Sequence, residues 1–195
     1  MSAAFGPGGH LVAQLAHRRV ATFEYLKRIF AKTCDTATMR KRAGQLFQLG
    51  LSIGKLLRIR DTDEFAKALD ALLTEFDVLV GDPQPKRGNL FSRLRTFGEQ
   101  QPGTDGSLGL LEVAHLPFEL DFIEIMITLS DTLVVTYSKL MPARGVDCTE
   151  AHLECVQRLD AKIKKHIIHR VIKDIDVVAK GLLREQLQTL VVGEN

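Results

Sequence analysis

The chain has 195 residues, which suits one globular domain with its own hydrophobic core. Hydrophobic residues make up 45% of the sequence and charged residues 26%, so the composition excludes a disordered or collagen-like chain. The formal net charge of only +2, with few aromatic residues among the basic ones, argues against nucleic acid as the partner.

The first part of the chain predicts two basic amphipathic helices. Apolar residues recur every three or four positions over residues 11–32 and again over residues 35–59, where Asp35 suits the N-cap of the second helix. Gly50 and Gly54 lie one turn apart on that second helix, and a helical glycine costs about 1 kcal/mol relative to alanine. We therefore expect a neighbouring helix to approach closely at these two glycines.

A third helix and a long linker follow. The run from Asp61 to Glu64 resembles a capping box and predicts a helix that ends near Val80. Residues 81–116 are rich in glycine and proline, which is typical of a linker, and we expect this one to be only partly ordered.

The fourth predicted helix is the most apolar. Pro117 suits its first turn, and a core stripe runs from Phe118 to Leu140. Additional apolar residues, including Val134 and Val135, make the helix apolar nearly all round, which is typical of a helix at the centre of a bundle.

The last helical region is predicted from about Cys148 to Val191, with Asp147 and Glu150 as a second capping pair. A continuous helix of that length would run on the order of 65 Å, which is long for a chain of this size. We expect a bend near residues 166–170 or at Gly181, or an end that protrudes and pairs with a partner.

Together these patterns predict an all-α fold. We expect residues 1–195 to form a single-domain helical bundle of about five helices, with a flexible N-terminus over residues 1–10 and the Pro/Gly-rich linker between the third and fourth helices. No secretory pattern, transmembrane run or disulfide framework is recognisable, since acidic residues interrupt the most apolar segment and only three cysteines occur. This predicts a cytoplasmic protein, with a nuclear one as the alternative.

Charge is distributed unevenly along the chain. Residues 1–60 carry eleven Lys and Arg against two acidic residues, a net charge of +9, whereas residues 61–85 carry one Lys against seven acidic residues, a net charge of −6. Either the first two helices and the third complement one another across the bundle, or the basic pair binds an acidic partner. A further basic cluster follows helical spacing on the last helix and could bind phosphate through one face.

These considerations define the candidate binding residues. On the basic faces they are Arg18, Arg19, Arg40, Lys41, Arg42, Lys162, Lys165, His166, His169 and Lys173. In the linker, where a short amphipathic segment is predicted, they are Phe91, Arg93, Arg95 and Phe97.

Two short motifs suggest chemistry but fail on context. The string from Gly50 to Leu56 has three residues rather than four between its glycines, lacks the Ser or Thr of a P-loop and falls inside a helix. Glu112 and His115 have the spacing of one half of a helical di-iron site, but the second copy is absent.

Metal and catalytic sites are likewise not predicted. Cys148, His152 and Cys155 share one helical face, but structural zinc needs a fourth ligand, for which only the remote His115 is suggested. No nucleophile elbow is present. A polar stripe of Glu124, Thr128 and Asp131 on the fourth helix is expected to face solvent or a basic neighbour such as Arg40 or Arg42.

The sequence therefore favours a non-enzymatic adaptor or subunit of a larger protein complex, without cofactor or metal. Its partner would be a protein with an acidic surface, bound in a salt-sensitive way through the basic faces, the linker and an exposed part of the last helix. The alternative is a peripheral module that binds anionic membranes or phosphoinositides. An enzyme would need a site that sequence spacing does not reveal.

Overall fold

The structure is a computed structural model that describes residues 7–30, 37–80, 109–112, 118–142 and 148–192. The described residues are helical, without strands, and confirm the all-α prediction. The helices are α1 (Pro7–Phe30), α2 (Ala37–Leu56), α3 (Thr62–Val80), α4 (Phe122–Leu140), α5 (Glu150–Ile163) and α6 (His169–Val192). A π-helical turn (Lys164–Ile168) joins α5 to α6. The stretch from α5 to α6 is thus one continuous rod, and the bundle has the five expected helical rods.

The five rods close into a ring around one core. The main contacts run from α1 to α4, from α4 to α2, from α2 to α3, from α3 to α5 and from α5 back to α1. Side-chain pairs give the directions: Phe23 meets Tyr137 and Phe30 meets Phe122, so α1 and α4 are antiparallel. Leucine side chains from every rod, with phenylalanine from α1, α3 and α4, fill the interior, as the apolar periodicity predicts.

The fourth helix begins later than expected. Asp121 is its N-cap, because one carboxylate oxygen accepts hydrogen bonds from the backbone N–H groups of Ile123, at 2.8 Å, and Glu124, at 3.2 Å. Phe118 consequently lies before the helix and is 61% exposed, so its assignment to the core stripe was wrong. Val135 is also mostly exposed, which shows that α4 has one solvent-facing side.

The other predicted ends agree more closely with the structure. Asp61 accepts a hydrogen bond from the backbone N–H of Glu64 at 2.8 Å and starts α3 as the capping pattern indicated. At the start of α5, Thr149 accepts from the backbone N–H of His152. Asp35, Asp147 and Pro117 lie outside the described residues, as does most of the linker.

The two glycines of α2 differ in their surroundings. A Cβ atom at Gly50 would lie 3.6 Å from the Leu129 side chain, so α4 does approach the helix there. At Gly54 nothing lies within 4 Å of that position. Of the two glycines, the expected close approach therefore exists at Gly50, whereas Gly54 faces solvent.

Candidate functional site

The acidic side chains of α3 form a ladder that faces the last rod. Asp63, Asp70 and Asp77 are seven residues apart and therefore share one helical face. His152 Nδ1 lies 2.6 Å from Asp63 Oδ1, and Lys162 Nζ donates to Asp70 Oδ1 at 2.6 Å. The pairs follow the same order along both helices, so α3 and the last rod run parallel.

Three members of the predicted phosphate-binding cluster, Lys162, Lys165 and His166, belong to this seam. Lys165 donates to Asp77 Oδ1 at 2.9 Å, and Lys162 also donates to the Asp70 carbonyl and to the Thr74 hydroxyl. His166 is buried beside Asp77. Because these charges already have carboxylate neighbours, little of the cluster is left to hold phosphate.

The remaining two members, His169 and Lys173, are exposed at the start of α6. They continue along the rod beyond the part that α3 covers. The sequence placed all five residues on one face, but the structure divides them between an internal seam and the solvent. The spacing alone could not show this, because the seam ends where α3 ends.

Basic residues of α1 and α2 are also divided. Arg19 of α1 makes a two-point ion pair with Asp160 of α5, and Tyr137 donates a hydrogen bond to the same carboxylate at 2.9 Å. Arg42 of α2 makes a similar pair with Asp174 of α6, at 2.6 and 2.8 Å. These two arginines join helices inside the molecule rather than offering a surface to a partner.

The other basic and linker candidates are either exposed or outside the described residues. Arg18 and Arg40 are exposed on α1 and α2. The side chain of Lys41 lies outside the described residues, and so do the linker candidates Phe91, Arg93, Arg95 and Phe97. The acidic residues of α3 form their ion pairs with the last rod. The sequence had suggested the basic residues of the first two helices as their partners instead.

Asp160 anchors a buried polar network at the centre of the ring. Its side chain is 9% exposed, and that of Arg19 is 13% exposed. Hydrogen bonding to Asp160 raises the pKa of Arg19, and desolvation raises the pKa of the Tyr137 hydroxyl far above its usual range. Tyr137 therefore remains a neutral donor, and the network holds α1, α4 and α5 together rather than supplying a reactive group.

The candidate zinc face is occupied by internal contacts. Both ring nitrogens of His152 face acceptors, since Nδ1 lies near Asp63 and Nε2 lies 3.1 Å from the Leu140 carbonyl. Burial raises the pKa of the Cys148 and Cys155 thiols, which disfavours the thiolate that zinc requires. Across the described residues, no group of three or more His, Cys, Asp or Glu has a metal-binding arrangement.

The polar stripe of α4 was expected to face either solvent or a basic neighbour, and it faces solvent. Glu124, Thr128 and Asp131 are exposed, and Lys27 of α1 donates to Asp131 at 2.5 Å. The basic neighbour of Asp131 is thus Lys27, which the sequence did not suggest. The partner was missed because the sequence does not show that α1, rather than α2, lies along this side of α4.

The last rod carries an apolar stripe that leaves the bundle. Ile168, Val171, Ile175, Val178 and Leu182 alternate steps of three and four residues, the spacing of a helix–helix seam. Ile168 and Val171 are buried, Ile175 and Val178 are half-buried, and Leu182 is 50% exposed. One continuous seam therefore begins in the core and ends in solvent.

The half-buried Val178 and the exposed Leu182 end this stripe, and the exposed Leu183 and Leu187 lie on the adjoining face of the helix; we call these four residues the α6 apolar end. Leu183 and Leu187 are 58% and 61% exposed. From Ala179 to Gln188 every described side chain except Gly181 is exposed. The sequence predicted a protruding end as one alternative, but the burial gradient along the stripe is visible only in the structure.

The start of α6 adjoins a small cleft beside the π turn. Arg42, Phe76, His166, Arg170 and Asp174 are among its lining residues. The π turn coincides with the position where an irregularity in the last helix was expected, and such turns often occur at functional positions.

No described helix is both long enough and apolar enough to cross a membrane. Comparison with protein-family models, with curated proteins and with solved structures gave no match. The function must therefore be inferred from the geometry of this chain alone.

Proposed function

We propose that this chain is a non-enzymatic adaptor or subunit of a protein complex, and that the α6 apolar end binds a helix of a partner protein. The observation that carries the proposal is the burial gradient from Ile168 to Leu182 along one stripe. A helix of this chain covers the stripe at one end, and the same spacing at the other end suits a second helix.

Helix energetics support a bound rather than a free state for this segment. A helical segment that extends beyond a bundle by about ten residues is marginally stable in water by itself. Gly181 weakens it further, by about 1 kcal/mol relative to alanine, and nothing lies near that glycine. Burial of Leu182, Leu183 and Leu187 by a partner would supply the missing packing.

The internal ion pairs change the mode of partner binding that the sequence predicted. Arg19, Arg42, Lys162 and Lys165 all have carboxylate partners within the chain, so the basic faces contribute less to partner binding than the sequence suggested. We therefore propose contact that is mainly apolar, and binding that depends only weakly on salt. The same ion pairs weaken the alternative of a module that binds anionic membranes.

A quantitative pulldown from cell extract tests the proposal. The wild-type chain is compared with a Leu182→Ser/Leu183→Ser variant and with a Leu11→Ser/Val135→Ser control, which removes two exposed apolar side chains elsewhere. We expect the α6 variant to lose the partner at least tenfold while the control retains it. The partner should also persist when salt is raised from about 0.15 M to about 1 M.

Three results would contradict the proposal. One is that the wild type and the α6 variant retain the same amount of partner. Another is that the control variant loses as much partner as the α6 variant does. The third is a stable homodimer of the purified chain in sedimentation equilibrium, since the stripe would then bind a second copy. Flotation with anionic liposomes that depends on Leu182 and Leu183 would favour the membrane alternative instead.

A further inference from the structure

We propose that the π turn acts as a pH-sensitive latch: it holds α6 on the bundle near neutral pH and releases it in mild acid. This inference rests on the proposed function, because α6 is the helix proposed to bind the partner. Its evidence is separate, since it comes from the surroundings of His166 rather than from the α6 apolar end.

His166 sits at the centre of the π turn and is almost completely buried. Its side chain is 1% exposed, and its ring meets the Phe76 ring edge-on with 6.0 Å between centroids. Nε2 lies 2.9 Å from Asp77 Oδ1, but the angles are not those of a hydrogen bond. Within the described part of the chain neither ring nitrogen has a hydrogen-bond partner.

The charges around His166 are mostly positive. α4 contributes the apolar Phe122 to the adjoining cleft. The charged groups are Asp77 on α3, Arg42 on α2, and Lys162, Lys165, Arg170 and Asp174 on the last rod itself. Both carboxylates already form ion pairs with other side chains, since Asp77 pairs with Lys165 and Asp174 pairs with Arg42. An additional positive charge on the ring would therefore be poorly compensated.

Protonation of His166 should consequently favour an open turn. Burial is the main cause that lowers the pKa of this imidazole; Asp77 opposes the shift, and the nearby Lys and Arg side chains add to it. The closed turn then binds fewer protons than an open turn, in which the ring regains an ordinary pKa of about 6.5. The closed form is thus fully favoured above that value and loses its advantage as the pH falls below it.

Opening at this point would release α6 because its other anchors are adjacent. Ile167 and Ile168 are buried in the same turn, and Val171 is buried one turn later. The ion pair between Arg42 and Asp174 ties α6 to α2 just beyond Val171. A turn that opens to hydrate His166 would displace these anchors together.

Hydrogen exchange of the purified full chain tests the latch without any partner. Exchange is followed by mass spectrometry in peptides over residues 164–178, with peptides from α4 as the internal reference. After correction for intrinsic chemical rates, opening should increase by up to about tenfold between pH 7.5 and pH 5.5, because the open form, with its ordinary pKa of about 6.5, binds more protons over that range than the closed form does. The α4 peptides should change much less.

Two variants and one titration make the result specific. His166→Gln keeps a polar side chain without a charge and should abolish the pH-dependent increase. His169→Gln changes an exposed histidine three residues away and should leave it intact. An NMR titration of the wild type should show the His166 ring titrating below the ordinary imidazole value of about 6.5, and this measurement needs no variant.

The latch is overturned if opening is unchanged between the two pH values, if His166→Gln retains the full increase, or if the His166 ring titrates at or above the ordinary value of about 6.5. None of these results bears on whether the α6 apolar end binds a partner. Conversely, failure of the pulldown would leave the exchange data intact, so the two proposals fail separately.

Discussion

Arg19 of α1 and Asp160 of α5 form a two-point ion pair inside the bundle, although 141 positions separate them in the chain. Tyr137 of α4 donates to the same carboxylate, so one buried group connects three of the five rods. Breaking a buried pair by removing one partner leaves an uncompensated charge, which is costly. The ion pair therefore stabilises the fold, and its removal should lower the free energy of unfolding of the whole bundle.

Replacement of Arg19 by methionine should lower the free energy of unfolding by about 3 kcal/mol, because Asp160 would be left buried without its main counter-charge. Urea denaturation followed by circular dichroism measures the change. Arg18→Met is the matched control, since Arg18 is exposed on the same turn and its replacement should change the value by less than about 0.5 kcal/mol. Equal effects of the two substitutions would show that the ion pair contributes nothing.

Gly54→Ala should stabilise the protein by about 0.5 to 1 kcal/mol. The position lies in α2, and an added Cβ atom would meet nothing within 4 Å. Helix propensity alone then decides the result, which a urea midpoint can measure. Gly8→Ala is a useful contrast, because the new Cβ would lie 3.3 Å from the Cys148 carbonyl oxygen. A destabilised Gly54→Ala variant would contradict the described surroundings of α2.

Asp77→Asn should change how the free energy of unfolding depends on pH at acidic pH. The hydrogen bond from Lys165 lowers the pKa of Asp77 below its ordinary value of 3.8, so its contribution is present above that pH and is lost as the pH falls below it. The wild type should be more stable than the variant at pH 7, and the difference should narrow between about pH 4 and pH 2.

Urea denaturation at a series of pH values measures that difference. Asp176→Asn is the control, because Asp176 pairs only with the exposed Lys180 on the same helix. A gap between wild type and Asp77→Asn that stays constant down to pH 2 would refute the proposed role of the Lys165 contact.

The fold was predictable from the sequence to a large extent, because apolar side chains at helical spacing must be buried together. The rods and their order followed from that spacing, whereas the bend expected near residues 166–170 is a π turn within one continuous rod. The start of α4 did not, since Pro117 and Phe118 fit the apolar pattern as well as Asp121 fits an N-cap. Only the position of the neighbouring helices decides which of these residues is covered.

The candidate site was predictable to a much smaller extent. Charge along the chain shows which helices are basic, but not which helix lies beside which. The ring places α3 against the last rod, so Asp70 and Asp77 take the cations that were expected to bind a partner. The exposure of Leu182 and Leu183 depends on where the bundle ends, which no local pattern encodes.

Site-specific photo-crosslinking gives the most direct test of the central proposal. A photoreactive amino acid replaces Leu183 in one form of the chain and Val135 in another, two positions of similar exposure on different helices. In cells, a single discrete protein adduct from position 183 and none from position 135 is the expected result. No adduct from position 183, or the same adducts from both positions, would contradict a partner-binding role for the α6 apolar end.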